Sequence, residues 1–449
     1  MQAKLSDANN EFQNAHAHIR MFMEQFEGFE EYGPNGEELV NEMDGSLYGF
    51  VQAGRAAGRK LATSLVEDGK MRRCVADRCV YVKRQGDEEI EVAVIVDNMF
   101  ISTNSQRMLD EFDAMLTEHW GQVFGKITGG PLHASGALNK KWDYDQDQGI
   151  LVISSPKQIE SMLSEFMSPE AEAKVARFSA HTPTDEGIMK LSARNMKLPS
   201  DKAGHARVKR LRSLVMSLNY VALEYRPDIA VYVSILTRFA MYDESIVDTY
   251  ALQILKYLGK TRLMGIACSP GSDAITGGES ENPAGWFDAN WVVHDKEAKH
   301  RSMSGRLYRQ HNASVLWTSK GQERQALSST GAELDPLVFG VADALYLRDL
   351  AHELNVPQKE PTKMYSDNTG AVFVGEDAAA VRRSRADARQ AVFLQDCVED
   401  GLLEMKHWPG NNNVADILTK WLDRNTFTKY RAVILNLAAH RKVGIAIDD

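Results

Sequence analysis

The sequence has little cysteine, only four in 449 residues. Cys74, Cys79, Cys268 and Cys397 are too few and too scattered for a disulfide framework, which fits a reducing, intracellular setting. Cys74 and Cys79 lack a second ligand pair at zinc spacing, so no structural zinc site is expected. No run of eighteen apolar residues occurs, so no membrane-crossing helix is expected. The N-terminus, MQAKLSDANNEFQNAHAH, has no apolar stretch followed by small residues and does not read as a secretory signal. An excess of positive charge is also missing: 52 Lys and Arg against 62 Asp and Glu leave -10 at neutral pH. That balance does not advertise a nucleic-acid binder. VKRLR at 208–212 and RRSRADAR at 382–389 are local basic clusters, and both also read as solvated helix faces. Internal repeats and low-complexity tracts are absent.

What is present describes a globular protein of two to four compact units. A hydrophobic content of 43% with 25% charged residues is ordinary for such a chain. SPGSDAITGGESENPAG, at 269–285, is dense in Ser, Gly and Pro without a hydrophobic period and reads as a linker or long surface loop. Upstream, the apolar run at 89–102 is expected to form a buried strand, 104–118 a helix and 149–154 another strand. From 206 to 262 helices dominate, with Pro227 of YRPDIA suited to a first helical turn. Downstream, strands are expected at 285–292, 303–310 and 313–318, then a helix over 329–354. Further strands at 363–367 and 402–408 and a last helix at 413–423 complete an α/β layer with a mixed sheet.

Four acidic residues fall at telling places in this last region. Asp288 lies inside a strand among Trp286, Phe287 and Trp291, where an unpartnered carboxylate is costly. Glu333 opens the long helix after the natural caps Ser328 and Ser329. Asp367 ends a strand, and Asp416 begins the last expected helix. Carboxylates drawn together repel one another unless a divalent cation neutralises them, and Mg²⁺ or Mn²⁺ prefers such oxygen ligands. The same residues have a plainer account: the helix dipole favours Glu333 and Asp416, and a turn favours Asp367.

The segments FDANW, RSMSGRLY, SVLWTSKGQERQALSSTGAEL, YSDNTGAV and NNVADILTKWL follow one another in an order that resembles the ribonuclease H domain of copia-type retrotransposon polyproteins. The resemblance implies that Asp288, Glu333, Asp367 and Asp416 are catalytic metal ligands. They would hold a pair of Mg²⁺ or Mn²⁺ ions and cut the RNA strand of an RNA–DNA hybrid by a two-metal mechanism. Departures from the pattern are Asn290, Gly331, Arg385 in place of a histidine, and Pro336 within the long helix, where a kink could displace Glu333.

The upstream half is similar to the reverse transcriptase of the same elements. KLSDANNEFQNAHAHIRMFMEQFEGF, SLYGFVQAGRAAGRKLATSL, VADRCVYVKRQGDEEIEVAVIVDNMFIS and SLVMSLNYVALEYRPDIAVYVSILTRF carry the likeness. It implies polymerase carboxylates at Asp7 and Asp97, also metal ligands, with the third position falling on Asn98. Gly54 and Ala57 stand where the family has proline and tryptophan. The chain begins six residues before Asp7, so on this resemblance the fingers are missing and efficient polymerisation of a primer on an RNA template is not expected. The implied architecture is α/β (α+β). A truncated palm occupies 1–165, a helical thumb or connection 166–268, a linker 269–285, a ribonuclease H-like mixed-sheet domain 286–425 and a tail 426–449. A larger polyprotein, no membrane partner, and a cytoplasmic or nuclear location are the accompanying expectations. A fold retained without its chemistry, at most binding nucleic acid, is the alternative.

Overall fold

Residues 90, 92 and 94 are Ile, Val and Val, and 99, 101 and 103 are Met, Ile and Thr. Alternate residues of a strand share a face. The antiparallel register sets Ile90 opposite Thr103, Val92 opposite Ile101 and Val94 opposite Met99, so the two strands Glu88–Ile95 and Asn98–Thr103 present one apolar face together. The single strand expected over 89–102 is therefore two. Ile95 and Asn98 are register partners in this antiparallel pair. The apolar run did not separate the two strands because both face the same core.

The computed structural model of the protein describes residues 2–7, 16–23, 31–37, 39–45, 53–95, 98–120, 133–135, 137–175, 181–292, 295–297, 299–323, 326, 328–376 and 388–447. They form two compact units, Met1–Leu138 with Glu353–Asn355, and Asn139–His352 with Val356–Asp449.

In the first unit the sheet runs Gln2–Asp7, Asn98–Thr103, Glu88–Ile95, Val80–Gln85, Arg72–Arg73, antiparallel throughout. The helices Ala53–Glu67 and Gln106–Trp120 cover its apolar face. Leu61 and Leu65, and Met108, Phe112 and Leu116, recur at one-turn spacing and pack on Ile90, Val92 and Ile101.

The second unit is built around a five-stranded mixed sheet in the order Ala313–Gly321, Met303–Gln310, Ala284–Asn290, Thr362–Ser366, Leu403–His407. The first three strands pair antiparallel and the last two join parallel, giving the expected mixed sheet. Both faces are buried, as parallel strands require. Trp286, Leu307 and Tyr365 enter one core, while their neighbours Phe287, Tyr308 and Met364 enter the other. On the Phe287 side lies the long helix Ser329–Glu353, through Leu334, Leu337, Val341 and Ala344. Gly340 permits that approach: a Cβ there would come within 2.2 Å of the Phe287 ring. On the Trp286 side pack Lys202–Glu224, Ala230–Thr237 and Ser245–Lys260.

Three segments differ from their sequence reading. The 269–285 stretch folds onto the sheet rather than tethering: Asp273 accepts the Ile275 and Thr276 amides at 2.9 and 2.8 Å and pairs with buried Arg309. Residues 426–449 contribute helical segments Arg424–Ile434 and Leu437–Lys442, with Phe427, Tyr430, Ile434 and Leu437 buried in the core. The helix expected at 413–423 is a short 3₁₀ turn, Val414–Leu418.

Candidate metal centre

Asp288 and Asp367 meet because their strands are parallel neighbours. Phe287 is the register partner of Ser366, so the next residue on each strand, Asp288 and Asp367, emerges at the same sheet edge. Glu333 comes from the start of the long helix, where the Ser328 hydroxyl accepts the Gly331 amide at 3.0 Å. Carboxylate oxygens of Asp288, Glu333 and Asp367 all lie within 4.8 Å of one another. Asp288 and Glu333 are only 2% and 7% exposed, and Asp367 is half-buried.

The electrostatics of this cluster follow from burial and like charge. Burial first, then Asp288 and Asp367, pushes the Glu333 carboxyl well above the usual range. Burial and Asp288 also raise the Asp367 carboxyl. Among the described residues, Glu333 Oε2 is buried with no hydrogen-bond partner. A buried oxygen left bare beside two further carboxylates is costly on its own. An all-oxygen donor set of this kind suits a hard divalent cation, so the residues fit Mg²⁺ or Mn²⁺.

Pro336 does not disperse the cluster, and the reason is specific. A proline at 336 has no N–H for the carbonyl of Ala332, one turn earlier. The Gln322 side-chain amide donates to that carbonyl instead, at 2.8 Å, and to the Ser304 hydroxyl at 2.9 Å. Ser304 in turn donates to Asp335 at 2.7 Å. The helix start is thereby tied to the strand Met303–Gln310 just where Glu333 leaves it.

The fourth expected carboxylate is placed differently. Asp416, 8% exposed, is not among the three residues whose oxygens lie within 4.8 Å of one another. Its Oδ1 lies 2.9 Å from Lys420 Nζ, which is also 3.7 Å from Asp288 Oδ2. Burial and Asp288 raise the Asp416 carboxyl, partly offset by Lys420. Thr419 donates its hydroxyl to Asp288 Oδ2. The 414–420 segment can lie this close because residue 305, the register partner of Asp288, is glycine; a Cβ there would meet Thr419 at 2.6 Å. Gln322, Gly305, Thr419 and Lys420 were not singled out from the sequence. Each sits inside a segment that carried the resemblance, and that was the only signal for them.

In the first unit, Asp7 ends its strand directly opposite Asn98. Asp97 lies outside the described residues, as does Arg385. Asn290 ends the strand that carries Asp288. Gly54 and Ala57 both lie in the helix Ala53–Glu67, Gly54 exposed and Ala57 buried.

Residues 4–128 match the family model described as reverse transcriptase (RNA-dependent DNA polymerase). Over 429 residues, 95% of its length, the chain is 27% identical to the retrovirus-related Pol polyprotein from transposon TNT 1-94 of Nicotiana tabacum. It is 26% identical over 430 residues to that from transposon RE1 of Arabidopsis thaliana, again 95% of this chain. The chain spans 30% and 27% of those two relatives. Among solved structures it is similar to a foamy viral protease–reverse transcriptase in complex with RNA/DNA hybrid, at 11% identity and a TM-score of 0.41. That likeness covers 91% of this chain and 44% of the other.

Proposed function

We propose, for a chain that belongs to the copia-type retrotransposon Pol polyproteins, that its second unit is a ribonuclease H cutting the RNA strand of RNA–DNA hybrids. The observation that carries this reading is the meeting of Asp288, Glu333 and Asp367 with the buried, partnerless Glu333 Oε2. In it Asp288 and Asp367, at the carboxyl ends of neighbouring parallel strands, are the fixed ligands, and Glu333 closes the set from the helix. Divalent ions held there would polarise the scissile phosphate and supply a hydroxide-like water near neutral pH. The protein's own part is rigidity: Gln322 anchors the helix start, and Thr419 holds Asp288 Oδ2 in one orientation. The hybrid would be read by backbone shape and 2′-hydroxyls rather than base edges.

For the first unit we propose a reverse transcriptase region whose polymerisation is impaired. An amide at Asn98 supplies an oxygen but one negative charge fewer, so catalytic cations are held more weakly. The test is incubation of the full chain with a labelled RNA–DNA hybrid and Mg²⁺ or Mn²⁺, alongside Asp288→Asn. Metal-dependent cleavage by the parent chain and none by the variant supports the nuclease. Hybrid binding without cleavage, indifferent to Mg²⁺ and to Asp367→Asn, would instead identify a catalytically silent remnant.

A further inference from the structure

The side chain of Lys420 stands where a positive charge has to be. Its Nζ lies 2.9 Å from Asp416 Oδ1 and 3.7 Å from Asp288 Oδ2. The stem is held by the local turn, since the Lys420 amide donates to the Asp416 carbonyl at 3.1 Å. The side chain is nonetheless 38% exposed, so the ammonium has a route to solvent. Thr419 adds its hydroxyl to the same oxygen of Asp288 that faces Lys420. One side of Asp288 is thus occupied by the Thr419–Lys420 dipeptide. Carboxylate oxygens of Asp288, Glu333 and Asp367 lie within 4.8 Å of one another.

The geometry points to Lys420 as a tethered cation occupying the place of a second divalent ion, so that this centre fills in sequence. The first ion enters among Asp288, Glu333 and Asp367. The second can use Asp416 and Asp288 only after Lys420 has swung away. This inference rests on the nuclease reading above. Its physical basis is exclusion: an ammonium and a divalent cation carry like charge and cannot share the same pair of carboxylate oxygens at contact distance. Asp416 is accordingly a ligand held in reserve. Substrate phosphate is the natural counter-charge to draw the ammonium out, because it offers Lys420 a new anionic partner at the moment a second cation is needed.

The test measures binding rather than cleavage. Mn²⁺ is titrated into the full chain by calorimetry, in an Asp7→Asn background so that the first unit's carboxylates contribute little. Free Mn²⁺ is followed in parallel by electron paramagnetic resonance. The chain with Lys420 intact is expected to show one tight class and a second at least a hundredfold weaker. Lys420→Met should tighten the second class at least tenfold and change the first by less than threefold. Lys420→Arg, which keeps the charge and can grip Asp416 through two nitrogens, should weaken the second class further. It also serves as the readout if the methionine variant loses its folded circular dichroism. Unchanged binding in both variants, or a second class weakened by Lys420→Met, overturns the inference while leaving the nuclease reading intact. No saturable Mn²⁺ binding by any of the chains sinks the nuclease reading itself, and this inference with it.

Discussion

The two units apply one device, acidic residues at strand ends, with different completeness. In the second unit the parallel pairing of Ala284–Asn290 with Thr362–Ser366 brings Asp288 and Asp367 side by side, and a capped helix adds Glu333. In the first, the antiparallel pairing of Gln2–Asp7 with Asn98–Thr103 sets Asp7 across from an amide, Asn98. Pairing two strands is enough to gather two side chains. Tuning them for cations takes a third acid and a surrounding shell, and among the described residues that shell is documented only around Asp288.

The comparison can be broken or sharpened by substitution, beginning with the largest expected effect. Asp288→Asn should lower hybrid cleavage at least roughly hundredfold, since it removes the ligand shared by the whole cluster. Primer extension, if any is detected, should be unaffected; parallel loss of both would mean the units do not act separately. Asp228→Asn comes next. Arg226 and Asp228 are both fully buried, joined at 2.7 and 2.8 Å, with Tyr257 donating to Asp228 at 2.6 Å. Neutralising one member strands the other charge, at a cost of about 3–5 kcal/mol, read as a lower urea midpoint for the second unit by Trp fluorescence.

A third test uses acid. His440 is fully buried; its Nε2 accepts the Gly265 amide at 3.2 Å, which requires the neutral ring. Burial lowers its pKa from 6.5 to about 4. A base with a depressed folded-state pKa contributes stability that is present above pH 6.5 and lost as pH falls toward 4. The loss attributable to this group is on the order of 3 kcal/mol. Urea unfolding at pH 7 and pH 4.5 measures it, and His440→Gln should flatten that part of the pH dependence. If it does not, the ring is not the titrating group. Gln322→Leu should cost about 1–3 kcal/mol by leaving the Ala332 carbonyl bare, with reduced Mn²⁺ affinity as Glu333 loosens. The smallest effect is expected from Asn98→Asp: a several-fold gain in Mn²⁺ binding by the first unit, seen by titration in an Asp288→Asn background. A null result there would mean that register alone does not build the site.

Much of this was legible beforehand. The strands expected at 285–292, 303–310 and 313–318 fall close to the observed Ala284–Asn290, Met303–Gln310 and Ala313–Gly321. Asp288 stood out because an acid among aromatics is costly without a partner. The apolar run alone did not separate Glu88–Ile95 from Asn98–Thr103, since both strands face one core. Nor was the packing of 426–449, whose buried residues mix with Arg431 and His440 and so look polar in sequence. Gln322 could not be tied to Pro336 from sequence, because what joins them is a side-chain bond to the Ala332 carbonyl, ten residues further along the chain.

The order of residues by itself determined most strand positions of the second sheet, the long helix and the acidic residues set among them, which follow from local periodicity and the cost of burying charge. Only the tertiary structure decided which acids come together and which one pairs with a lysine. That choice depends on strand register and on a glycine at 305 letting the Thr419–Lys420 turn settle against Asp288, and ångström-scale distances between residues more than a hundred positions apart leave no periodic trace in the chain.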